Sequence, residues 1–94
     1  MFSGGTYDEV ARWLQNFFTS HAKRENVRAE VELEVGEERE GKSYAARVRV
    51  GERFTPPIEF EFADVARNRG SLAWCATLAA RVREVVRDLG AAAA

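Results

Sequence analysis

Three short runs in the middle of the chain, Val27–Val35, Tyr44–Val50 and Ile58–Phe62, alternate between apolar and charged residues. A period of two sends successive side chains to opposite faces of a strand, whereas on a helix it would scatter them around the axis. The runs therefore predict three half-buried strands sharing one apolar face. Val27, Ala29, Val31, Leu33 and Val35 belong to that face in the first run. Tyr44, Ala46, Val48 and Val50 follow in the second, then Ile58, Phe60 and Phe62 in the third. The opposite face carries Arg28, Glu30, Glu32 and Glu34, then Ala45, Arg47 and Arg49, then Glu59 and Glu61.

Keeping the apolar residues together implies a register. Glu32 falls opposite Arg47 and Glu30 opposite Arg49 in the first hairpin. In the second, Arg47 meets Glu61 and Arg49 meets Glu59, so acid, base and acid lie side by side. A slip of one residue would bury the charges, so the pattern specifies register. Each exposed pair contributes only roughly 0.2–1 kcal/mol, and the expectation is a wet sheet face rather than a charged partner surface. Pro57 can open the third strand because its missing donor matters least there.

Helical periodicity flanks the strands. Thr6 and Glu9 have capping-box spacing ahead of a stripe of Val10, Leu14, Phe17 and His21, beside Tyr7, Trp13 and Phe18. This helix is expected to end near 24–26. After the third strand, Asp64 suits the cap of a first turn, Gly70 interrupts, and Ser71 can cap a helix from Leu72 to Leu89. Its stripe is Leu72, Cys75, Leu78, Ala79, Val82, Val86 and Leu89, and Gly90 is a natural stop. The expected fold is α+β, in the order α-β-β-β-α. A three-stranded antiparallel meander carries two helices on one face. The domain spans 6–90, between a flexible start at 1–5 and a disordered tail at 91–94.

An apolar fraction of 46%, with six Phe and two Trp, fills such a core without staples. One cysteine allows no internal disulfide, and no apolar run nears the roughly 20 residues of a membrane span. With no signal-like start, the expected location is the cytoplasm. Net charge is −1, unevenly spread: nine acids against five bases from Glu30 to Glu61, then five Arg against two acids from Arg67 to Asp88. That asymmetry falls short of a nucleic-acid footprint.

No catalytic, metal-binding or phosphate-binding constellation is visible, so neither an enzyme nor a cofactor is expected. His21 and Cys75 are each the single residue of their type, and both sit on apolar stripes where a structural role is the expectation. Gly4-Gly5 lacks the pattern of a phosphate loop. Contact candidates are few. Ala73, Ala76, Thr77 and Ala80 cluster on the outer face of the last helix, with Trp74 at its boundary. Small residues allow close approach of another backbone and a Trp can anchor it, though alanine is also simply a good helix former. Phe54, at the tip of the second hairpin, either projects outward or folds back over the core's edge, and the second is expected.

The order α-β-β-β-α, with both helices on one sheet face, resembles the double-stranded RNA-binding domain. That resemblance implies phosphate contacts from lysines at the start of the second helix, and minor-groove contacts from the first hairpin loop and helix one. Here the corresponding helix start offers Arg67 and Arg69, and the loop Gly36–Lys42 is acidic. Two functions are therefore carried forward. The first is a non-enzymatic protein-interaction or self-association module using Trp74, its alanine face and Phe54. The alternative is a weak nucleic-acid binder using Arg67, Arg69, Arg81, Arg83 and Arg87.

Overall fold

The computed structural model describes residues 5–93, with backbone alone for 37, 92 and 93. Helix α1 (Tyr7–Glu25) begins at the expected capping box. The Thr6 hydroxyl accepts from the Glu9 N–H at 3.2 Å, and the Glu9 carboxylate accepts from the Thr6 N–H at 3.5 Å. The buried stripe is Val10, Leu14, Phe18 and Ala22, with Phe17 and His21 half-buried to one side. Strand β1 (Ala29–Glu34) pairs antiparallel with β2 (Ser43–Val50), placing Glu30 opposite Arg49 and Glu32 opposite Arg47 as the alternation requires. Val27 and Val35 lie beyond the ends of β1 and are 77% and 48% exposed, so neither joins the core as expected.

The second hairpin departs from the expected register. Gly51 and Glu52 turn the chain, with Gly51 at φ 64°, the left-handed value that tight hairpin turns require. A two-residue strand β3 (Arg53–Phe54) follows at once, pairing Phe54 with Arg49 and Arg53 with Val50. Strand β4 (Ile58–Glu61) then sets Ile58 opposite Ala46, Glu59 opposite Ala45 and Glu61 opposite Ser43. Glu59 and Glu61 therefore do not face Arg49 and Arg47. Between β3 and β4 the pairing slips by one, leaving Pro56-Pro57 as a bulge opposite Arg47. Thr55 seals the bulge: its N–H donates to the Val48 carbonyl at 2.9 Å, and its hydroxyl accepts from the Val48 N–H at 3.1 Å. An odd insertion inverts the faces, so Phe54 shares the open face with Arg49 while Ile58 and Phe60 turn toward the helices.

Phe62, expected to finish the third strand, instead opens a short helix α2 (Phe62–Asn68), and its ring tilts against Tyr7 at 5.9 Å. Glu61 is the cap residue of α2, while Asp64 lies inside the first turn. Ser71 caps α3 (Leu72–Ala93), its hydroxyl accepting from the Trp74 N–H at 3.3 Å. Leu72, assigned to the buried stripe, is 89% exposed on the overhanging first turn. Gly90 does not end α3. The helix runs on through it past the end of α1, and a Cβ there would make only ordinary contact, 3.5 Å from the Asn26 side-chain amide. Residues 1–4 of the expected flexible start and residue 94 of the expected tail lie outside the described residues.

The sheet has β2 at its centre, β1 on one side, and β3 and β4 on the other. The element order stands as expected, with the third strand divided by the bulge and a short helix added before the last. The core between sheet and helices is built on Leu14, Phe18, Tyr44, Val48, Val65, Val82 and Val86. Two tyrosines tie its ends: Tyr7 donates to the Ser43 carbonyl, Tyr44 donates to the Tyr7 carbonyl at 2.7 Å, and their rings stack at 4.5 Å.

Candidate protein-binding groove

Strand β4 is an outer strand of the sheet. The Phe62 N–H donates to the Lys42 carbonyl at 2.8 Å, and antiparallel pairs alternate, so Phe60 and Ile58 bond inward to β2. The N–H and C=O of Glu59 and the N–H of Glu61 therefore face outward, and none finds a partner among the described residues. The opposite edge is treated differently. On β1 the Val31 carbonyl accepts from the Gln15 side-chain amide of α1 at 2.9 Å.

Helix α3 lies over β2 and the hairpin tip, leaving Ile58 and Phe60 only half-buried. A groove of about 590 Å³ opens between β4 and α3. Trp74, Thr77, Leu78 and Arg81 of α3 line one side, Ser43, Glu59, Phe60 and Glu61 of the sheet the other, with Asp64 of α2 at the end. It continues past Arg81 into a hollow of about 360 Å³ bordered by Thr55, Pro56, Pro57 and Val85. Trp74, Leu78, Arg81 and Val85 reach one side of α3 because they recur every three or four residues.

Charge in the groove is unevenly matched. Arg39, from the loop between β1 and β2, grips Glu59 through two hydrogen bonds of 2.9 and 3.3 Å, which hold that carboxyl below its usual range. Glu61, Asp64 and Arg81 form no ion pair among the described residues. Behind Trp74 runs a line of rings: Trp13 lies 6.2 Å from it, Phe17 stacks on Trp13 at 5.0 Å, and His21 lies 4.5 Å from Phe17. Burial, reinforced by Arg24 and Arg83, pushes the His21 pKa below its ordinary value, and its Nδ1 has no partner.

Of the contact residues expected from sequence, Trp74, Thr77 and Arg81 come together here. Ala73, Ala76 and Ala80 are exposed on the outer face of α3, away from the groove. Phe54 does not fold back over the core. It stands 61% exposed on the open sheet face, beside Glu32, Arg47 and Arg49. The remaining arginines are dispersed. Arg67 lies in the last turn of α2 and Arg69 caps it, with its guanidinium against Gly5; Arg83 is near His21 and Arg87 pairs with Glu25 at 3.1 Å. Cys75 donates to the Arg69 carbonyl at 3.4 Å from a half-buried position, two turns of α1 away from the level of His21.

The strand edge itself, with Phe60, Leu78, Glu61 and Asp64, is absent from the sequence-derived candidates. One signal could have found it: the last strand of a meander must be an edge. Among the described residues, no three of His, Cys, Asp and Glu come together as a metal-holding group, and no helix is long and apolar enough to cross a membrane. No family model, curated protein or solved structure matches the chain.

Proposed function

We propose that the chain is a non-enzymatic protein-interaction module whose binding surface is the groove between β4 and α3. The observation that carries this reading is the meeting of outward backbone donors and acceptors on β4 with an apolar floor of Phe60, Leu78 and Trp74. A polypeptide offers both complements at once, main-chain groups for the edge and side chains for the floor. Interface energy concentrates in aromatic anchors, which gives Trp74 the central part. The nucleic-acid alternative draws on Arg67, Arg69, Arg81, Arg83 and Arg87, yet Arg81 stands among carboxylates and Arg87 is engaged by Glu25.

The test is selection from a random peptide library on the immobilised protein, with Thr77→Trp as the counter-target. Thr77 is exposed, so the larger side chain fills the groove without entering the core. Selected peptides are expected to lose binding to Thr77→Trp. Peptides that bind both proteins equally, or no selection at all, would overturn the reading.

A further inference from the structure

We infer that the groove takes an extended segment whose residues alternate basic and apolar, adding it as a further strand along the free edge of β4. This rests on the groove being a protein-binding surface, and it specifies the partner. Residues of an added strand fall on the same two faces as those of the strand beside them. On β4 these faces differ in chemistry. Glu59 and Glu61 stand on the open face and rim the groove, whereas Phe60 faces its floor beside Leu78 and Trp74 and Ile58 borders the hollow that continues it. An incoming strand therefore meets carboxylates at every second position and an apolar floor at the positions between.

The chain already contains such a strand. β2 alternates Arg47 and Arg49 with Val48 and Val50, and it pairs with the acidic strand β1 in that sense. β4 offers its outer side the same alternation, with Glu61 free of any ion pair among the described residues and Glu59 already shared with Arg39, so Glu61 carries most of the charge preference. A second copy of the chain fits poorly. Edge-to-edge pairing of β4 with β4 or β1 opposes Glu59 and Glu61 to glutamates, and Gln15 already occupies the Val31 carbonyl on β1. Pro56-Pro57 bounds the pairing edge at one end and α2 at the other, so the added strand is short and its affinity modest.

Calorimetric titration with a short synthetic peptide of alternating arginine and valine tests the inference. A glutamate–valine peptide and a block-permuted arginine–valine peptide serve as controls. The alternating basic peptide alone is expected to bind, more weakly as salt rises. Glu61→Lys should weaken it about threefold to tenfold, since like charge replaces opposite charge across the strands. Thr77→Trp should abolish binding, and the Glu59 and Glu61 amides should become protected from hydrogen exchange in the complex. Equal binding of the block-permuted or acidic peptide would overturn the inference, as would undiminished binding to Thr77→Trp. Failure of the alternating peptide, while library-selected peptides still require the groove, sinks the strand-addition mode and leaves the module. Loss of both groups of ligands removes the two together.

Discussion

Thr55 shows how much one side chain can decide. It is the one buried polar residue among the described residues, and its hydroxyl accepts from the Val48 N–H at the point where the ladder slips. Valine has nearly the same shape and no acceptor. Thr55→Val should therefore cost about 1–3 kcal/mol, the penalty of an unsatisfied buried donor. Thr55→Ser should recover most of it, as read by urea unfolding. His21 makes a second residue-scale prediction. Burial and the neighbouring Arg24 and Arg83 lower its pKa below the ordinary 6.5, so the unfolded chain binds the proton more readily than the folded one. Its contribution to stability is complete above that ordinary value, and is lost as pH falls below it through the lower folded value. The urea midpoint of the wild type should therefore fall between about pH 7.5 and about pH 5.5 by more than that of His21→Phe.

Elements are organised by two irregularities that binary patterning does not contain. The first is the Pro56-Pro57 bulge, which turns Phe54 out and Ile58 in within a few residues. The second is the loop between β1 and β2, where Glu40 and Gly41 take φ of 54° and 68° and fold the loop back over the sheet. Arg39 then reaches both Glu34 and Glu59, the two residues that flank Ala45 across the strands. Ala45 lies on the open face and is nonetheless buried, because the loop arginine spans it. An acid–base–acid row does form across the sheet, with its base supplied by a loop rather than by β2. Arg47, opposite the bulge, keeps only a 4.0 Å contact with Glu34, and its buried Nε is unpartnered. Arg39→Ala should return the Glu59 carboxyl upward toward its ordinary pKa and lower the unfolding midpoint, while Arg39→Lys retains part of both effects. Carboxyl-resolved NMR titration reads the first and urea unfolding the second.

At the scale of the molecule, the two long helices run side by side in the same direction, with Trp13 meeting Trp74 at one end and Glu25 meeting Arg87 at the other. Together they cover the centre of the sheet and leave β4 half-covered, which is why the groove exists. The ends are tied by the hydrogen bonds from Tyr7 to the Ser43 carbonyl and from Tyr44 to the Tyr7 carbonyl, joining the first turn of α1 to the start of β2. Tyr44 is fully buried, so Tyr44→Phe removes a bond without opening a cavity and should cost about 1 kcal/mol in chemical unfolding. A much larger loss would show that the tie closes the fold cooperatively.

Periodicity and capping were sufficient to derive the α+β class, the element order, the caps of α1 and α3 and the first hairpin's register, because each depends on neighbours in sequence or on keeping one face apolar. Glu30 with Arg49 and Glu32 with Arg47 follow from that rule directly. The second hairpin's register did not follow, because a bulge preserves the apolar face while shifting the partners, and alternation is blind to it. Among contact candidates, Trp74, Thr77 and Arg81 were legible as boundary residues of α3, whereas their neighbours Phe60, Glu61 and Asp64 were read as ordinary strand and cap positions. The groove was decided only in three dimensions. Its walls come from segments well apart in the chain, and its opening depends on where α3 settles over the sheet, a balance of packing that no local pattern encodes.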